Sequence, residues 1–247
     1  MIKFFRNIRK ALLAEGKLGK YLFYAFGEIL LVVIGILLAL QINAKYEASK
    51  KEKLKNVYID RLVNDLKLDT LNINTTTAAV AKSQVAIEEF IASLNTDTAQ
   101  DTLYEVTSEF FDIGWIINDY TATDNTYKDL SQTGNMNIIG DPELIEALIK
   151  YYGFTNLLKE YHQVNKDWIT PLDQQVALKT SAFEIDGATK ELFSHTTAAE
   201  TLNELRSEVK LLERCAAGHF WINGSLTRNM AVIKVEAIKL LELLNRE

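Results

Sequence analysis

The chain has 247 residues, with 27 Lys and Arg against 33 Asp and Glu, one Cys, two Pro and eleven Gly. That length can bury a substantial core, but two Pro in all and seven Gly beyond residue 43 are too few for the turns of a sandwich or barrel. No β-branched run leads into the Gly-rich turn of a doubly wound fold, and one Cys excludes an internal disulfide framework. The expected fold class is all-α.

Charge is unevenly distributed. Residues 1–20 carry six basic groups and one acid, residues 21–42 carry only Glu28, and residues 43–247 carry 21 basic and 31 acidic groups. A domain with that acidic excess is a poor match for a phosphate backbone, so no nucleic-acid partner is expected. Ile2, Phe5, Ile8 and Leu12 give the basic tail (1–20) one apolar face, suited to an anionic cytoplasmic leaflet.

Tyr21–Ile42 reads as a transmembrane helix. Its length is about 33 Å at ~1.5 Å per residue, against a hydrocarbon core of roughly 30 Å. Fourteen of its residues are Leu, Ile, Val or Phe. They contribute about −4 to −8 kcal/mol on an insertion scale, against a cost of about 3 kcal/mol for a central carboxyl. A cleaved signal peptide fits poorly, because Ile42 and Ala44 would occupy the positions that require small residues. A buried core helix fits poorly too, because Ile29–Leu40 has no polar face. The lipid bilayer is therefore an expected partner. The stripe on the basic tail places the N-terminus in the cytoplasm and residues 43–247 outside it, in an extracytoplasmic space.

Beyond the span, Ile59, Leu66, Ile73, Val80, Ile87 and Leu94 repeat every seven residues, the seam of a long helix that packs in coiled-coil fashion. The intervening seam positions are polar at Asp69, Thr76 and Ser83, and Asn72–Thr77 is poor helix former where a kink would fall. This helix is expected to run straight out of the span. A second helix is expected over Thr98–Tyr120, and a short one near Thr126–Thr133 ending at Gly134. Asp141-Pro142-Glu143 opens the next, with a stripe of Leu144, Leu148, Tyr151, Phe154, Leu158, Tyr161, Val164 and Trp168 before Pro171 interrupts it. The capping box Thr197-Ala198-Ala199-Glu200 starts the stripe Leu202, Leu205, Val209, Leu212, Ala216, His219, Asn223, Leu226, Met230, Ile233, Ala237, Leu240 and Leu244. Gly218 and Gly224 bracket its polar centre, and one bent helix or two collinear ones fit equally well. The expected domain is an elongated antiparallel bundle with coiled-coil-like packing.

Two blocks, YLFYAFGEILLVVIGILLALQIN (21–43) and TYKDLSQTGNMNIIGDPELIEALIKYY (126–152), resemble an uncharacterised family of bacterial proteins. Gly27-Glu28, Gln41-Ile42-Asn43, Leu130, Gly134, Asn137 and Tyr151-Tyr152 stand where its pattern puts them. The resemblance implies a short basic start, one transmembrane helix with an early Gly-Glu, and a helical domain of unknown function. Ala44-Lys45-Tyr46 departs from the Trp-rich stretch that such proteins often carry there.

Few residues suggest chemistry. Glu28 lies about 10 Å into the span, where it could meet a donor on a partner's membrane helix or on a second copy, and Gln41 could add a second interhelical hydrogen bond. Cys215, one turn before His219, makes with it and Asn223 a polar seam, but no third catalytic group or further metal ligand is visible. His162 and His195 stand unaccompanied. Trp115, Tyr151, Tyr152, Trp168 and Trp221 could line an apolar groove or simply fill the core. No residue is expected to be catalytic, cofactor-binding or metal-ligating, and no cofactor is expected. The expected function is a membrane-anchored interaction or scaffold protein acting through a protein partner or a second copy. The alternative is an extracytoplasmic domain that senses a small molecule.

Overall fold

A computed structural model of the chain describes residues 18–94, 98–193 and 197–246. Residues 1–17, which make up most of the expected basic tail, and His195 lie outside the described residues. The elements are α1 (Leu18–Leu94), α2 (Gln100–Glu109), a π-helical turn (Phe110–Gly114), α3 (Asn125–Gln132), a 3-10 turn (Asn135–Ile138), α4 (Pro142–Lys179), α5 (Ala182–Ile185), a second 3-10 turn (Lys190–Phe193), α6 (Ala198–Ser207) and α7 (Val209–Leu244). The all-α expectation holds, with no strand among the described residues.

The chain forms two compact units, Met1–Val57 and Tyr58–Glu247. In the first, α1 is long and apolar enough to cross a membrane. Its fourteen Leu, Ile, Val and Phe side chains from Leu22 to Ile42 are each 44–85% exposed, whereas a core helix of a soluble domain buries one stripe. From Asn43 to Val57 every side chain is exposed except half-buried Lys55, so packing begins at Tyr58 rather than at residue 43.

The second unit is a bundle of four legs. The first is α1 from Tyr58 onward, which buries Leu62, Leu66, Asp69, Ile73, Val80, Ser83, Ile87 and Phe90. The seam is the expected one, and α1 is not interrupted at Asn72–Thr77. Hydroxyls there serve the helix itself, Thr75 donating to the Leu71 carbonyl and Thr77 to that of Ile73.

The second leg departs from the expectation of a helix over Thr98–Tyr120. Helix α2 ends at Glu109, a π turn closes with Trp115 N–H bonding to the Phe110 carbonyl at 2.7 Å, and residues 116–124 are non-helical. The physical reason is reach. From Gly114 to Thr123 the chain accompanies α1 from Ser83 back to Asp69, about 21 Å of helix at ~1.5 Å per residue. Nine helical residues would cover only about 14 Å. Helix α3 then ends as expected, before Gly134 at φ 71°, a left-handed stop that a side chain would strain.

The third leg, α4, opens on the expected cap: Asp141 accepts from the Glu143 N–H and Pro142 fills the first turn. Two expectations fail along it. Pro171 does not interrupt the helix, because Ile169 and Val176 on either side are both buried. Their burial, about 1.5–3 kcal/mol each, offsets the roughly 3 kcal/mol that an internal Pro costs. The inward stripe follows the expected track through Leu144, Leu148 and Tyr151 and then leaves it: Tyr161, Val164 and Trp168 are exposed, and burial continues on the seven-residue repeat Leu148, Thr155, His162, Ile169 and Val176. Two of those five are polar, which hid the register from an apolar count.

The fourth leg, α7, follows the capping box of α6, where Thr197 and Glu200 each accept from the other's backbone N–H. The helix break falls at Glu208, and α7 runs unbroken through Gly218 and Gly224. At Gly218 a Cβ would stand 2.7 Å from Ile169 Cδ1 on α4, so the Ile169 side chain packs directly over the glycine. Except for half-buried Val209, every residue of the expected stripe from Leu202 to Leu244 is buried. Two apolar clusters result. One holds Leu66, Ile73, Leu148, Met230 and Ile233; the other holds Ile87, Phe90, Phe110, Val176 and Leu212.

If the third leg is registered on 148, 155, 162, 169 and 176, then Ile169→Ala costs about 2–5 kcal/mol and Val164→Ala less than about 0.5 kcal/mol. Urea unfolding of the two variants decides; equal losses would restore the other stripe.

Candidate functional site

Polar residues inside the bundle are the place to look for chemistry, because each needs a partner there. Most of them hold the extended segment 115–124. Ser83 on α1 donates to the Gly114 carbonyl at 3.2 Å, and Asn223 on α7 donates to Ser83 Oγ at 3.0 Å and to the Ile116 carbonyl at 3.4 Å. His162 on α4 donates from Nε2 to the Asn118 carbonyl at 2.9 Å. Asp69 accepts from the Thr123 N–H at 2.5 Å and from the Tyr151 hydroxyl at 2.9 Å, and the Tyr152 hydroxyl donates to the Thr123 carbonyl at 3.3 Å. Burial raises the Asp69 carboxyl above its usual range, the three hydrogen bonds from Thr123 and Tyr151 opposing it.

His162 is therefore not unaccompanied. Its Nε2 is engaged with segment 115–124 (the strap), and burial lowers its pKa, while the Asn118 carbonyl and Asp119 raise it and Lys166 lowers it. Asn223 joins this strap network rather than Cys215 and His219, so the expected polar seam divides in two. Tyr151 and Tyr152 are buried in it, edge to face with ring centres 5.0 Å apart.

The other half of the seam gathers a residue that sequence reasoning missed. Asp173 on α4 accepts from His219 Nε2 at 2.7 Å and from the Cys215 thiol at 3.2 Å, through the same oxygen. Cys215 and His219 are four apart on α7 and share a face, and both are wholly buried. Burial, then the Asp173 charge, pushes the thiol well above its ordinary range. As it stands the thiol stays protonated and is a poor nucleophile. No local signal marks Asp173 in the sequence, because it lies 42 and 46 residues from its partners.

The remaining aromatics border two grooves. Trp168, 70% exposed, and Trp221, 41% exposed, meet edge to face at 5.5 Å. With Ile169, Pro171, Leu172 and Arg214 they line a groove of about 690 Å³. Trp115 lies beside Phe111 and His219, with ring centres at 4.7 and 5.9 Å. It lines a smaller groove of about 350 Å³ that reaches Asp173.

In the first unit Glu28 is half-buried and Gln41 exposed. At about 100° per residue, thirteen residues carry Gln41 roughly 140° around α1 from Glu28. The two do not share a face, so one straight partner helix cannot meet both.

Residues 28–134 match the model of a family of unknown function (DUF6090). The matched span begins at Glu28 and takes in Asp69, Ser83, α2, the strap and α3; it leaves out α4 and α7, and with them His162, Asp173, Cys215 and His219. No curated protein and no solved structure matches the chain.

Because the folded pKa of His162 lies below the unfolded value of about 6.5, its neutral form contributes stability above that value. The contribution is lost as pH falls through the folded pKa. The urea midpoint should drop between about pH 7.5 and 5.5, and His162→Gln should flatten that drop; an unchanged slope in the variant would remove His162 as its cause.

Proposed function

We propose that the chain is a single-pass protein of a bacterial inner membrane, anchored by Tyr21–Ile42, whose helical domain lies outside the cytoplasm and acts as an interaction or scaffold module without catalytic activity. The observation that carries this reading is the exposed collar of fourteen large apolar side chains from Leu22 to Ile42. So large a continuous apolar surface is uncommon on a soluble monomer and marks a membrane or protein contact. Glu28 is the candidate contact within the span, since a carboxylate at that depth is favoured by a donor on a neighbouring helix. Gln41, on a different face, would serve a different neighbour.

Alkaline carbonate should leave the full-length chain in the membrane pellet, and a carboxyl-terminal alkaline phosphatase fusion should be active. Release by carbonate would overturn the anchor, and an inactive fusion the orientation. In the same membranes, crosslinking should give a partner or dimer band that Glu28→Ala weakens; an identical pattern would remove Glu28 from the contact.

A second reading, a small-molecule sensor, rests on the groove at Trp168 and Trp221. Its volume falls in the range of small-molecule sites. Arg214 at its edge makes no ion pair among the described residues, so the groove suits a ligand with an apolar body and an anionic group. A screen of aromatic and aliphatic carboxylates should find one that quenches tryptophan fluorescence in the wild type and about tenfold less well in Arg214→Ala. A blank screen would leave the scaffold reading alone.

A further inference from the structure

We propose that Asp173, Cys215 and His219 form a binding site for a thiophilic divalent cation of the zinc class. Three donors of different chemistry, a carboxylate oxygen, a sulfur and an imidazole nitrogen, lie within 4.8 Å of one another. They come from two elements only. Cys215 and His219 project from one face of α7 at the i, i+4 spacing, and Asp173 meets them from α4. The packing beside the cluster explains the close approach. Gly218 admits Ile169 against α7, where a Cβ would stand 2.7 Å from Ile169 Cδ1. One turn along α4 from Ile169, Asp173 then reaches both side chains.

The donors lie a small adjustment away from the spacing around a tetrahedral ion. Bonds of ~2.0–2.3 Å set donor atoms about 3.2–3.8 Å apart. The Cys215 Sγ to Asp173 Oδ1 distance is 3.2 Å, and the His219 Nε2 to Oδ1 distance is 2.7 Å. An entering ion displaces the Cys215 thiol proton to solvent. The His219 proton moves from Nε2 to Nδ1, which has no hydrogen-bond partner among the described residues, so that a neutral imidazole ligates. The shorter contact opens by about half an ångström, which side-chain torsions can supply. One thiolate, one carboxylate and a 2+ ion sum to a neutral centre, the least costly form in a core. Three protein ligands with a fourth position left for water is the pattern of open zinc sites. Here a route to the fourth position exists: Asp173 is 20% exposed and lines the groove formed with Phe111, Trp115, Gln174 and Ala177.

The test uses the full-length chain in detergent, stripped with a chelator and titrated with Co²⁺, then Zn²⁺. One equivalent of Co²⁺ should give the visible bands of a tetrahedral site and a thiolate-to-cobalt charge-transfer band, both abolished by Zn²⁺. Zn²⁺ should also raise the melting temperature. Cys215→Ser should lose the charge-transfer band, and Asp173→Asn and His219→Ala should each weaken Co²⁺ binding at least about tenfold. Circular dichroism of the metal-free variants reports whether they fold. Absence of both bands and of any Zn²⁺-dependent melting shift in folded wild type would overturn the proposal, leaving a hydrogen-bonded cluster only. So would retention of the charge-transfer band in Cys215→Ser. The wild-type titration decides even if every variant unfolds.

Discussion

The bundle depends on keeping satisfied the peptide groups of a non-helical stretch that lies, mostly half-buried, against its helices. Residues 116–124 have no helical ladder of their own, and buried peptide groups without partners cost about 1–3 kcal/mol each. Asn223, His162, Asp69 and Tyr152 supply partners to this stretch from three of the legs, and Ser83 bonds the Gly114 carbonyl just before it. Seam positions that would otherwise be apolar are polar for this reason. Replacing any of them with a better hydrophobe would strengthen one helix pair and strand a peptide group of the strap.

The same arrangement separates two kinds of buried polarity. One kind is spoken for by the backbone of the strap. The other, at Asp173, Cys215 and His219, serves no backbone group among the described residues: its hydrogen bonds run between its own side chains, and Asp173 lines one edge of a groove. That difference, more than the residue types, singles out the second cluster as a place for chemistry. It lies outside the span that matches the family of unknown function, whereas the α1 side of the strap network lies inside it.

The apolar collar of α1 and the acidic bundle meet different demands of solvent. From Leu22 to Ile42 the helix satisfies its backbone internally, as a lone segment in lipid must, and presents hydrocarbon around most of its circumference, broken at Glu28 and Gln41. From Tyr58 onward the same helix buries one apolar stripe, and its other faces are largely polar or charged, with Leu68, Leu71 and Val85 exposed among them. The change occurs within a single element, so it is a change of sequence pattern and not of secondary structure.

Much of this was legible from local chemistry. The apolar span, the seven-residue seam of α1, the Asp141-Pro142 and Thr197 caps, the Gly134 stop and nearly the whole stripe of α7 follow from periodicity and capping, which act over a few residues. What only tertiary structure decided involves distance along the chain. A second leg that must accompany some 21 Å of α1 with nine residues cannot remain helical, and no local signal states that length. The register of α4 passes through Thr155 and His162, whose burial is explained by what they bond rather than by their polarity. Asp173 acquires meaning only when α4 and α7 lie side by side, because a hydrogen bond between residues 46 apart in sequence is a property of the packed legs and of neither helix alone.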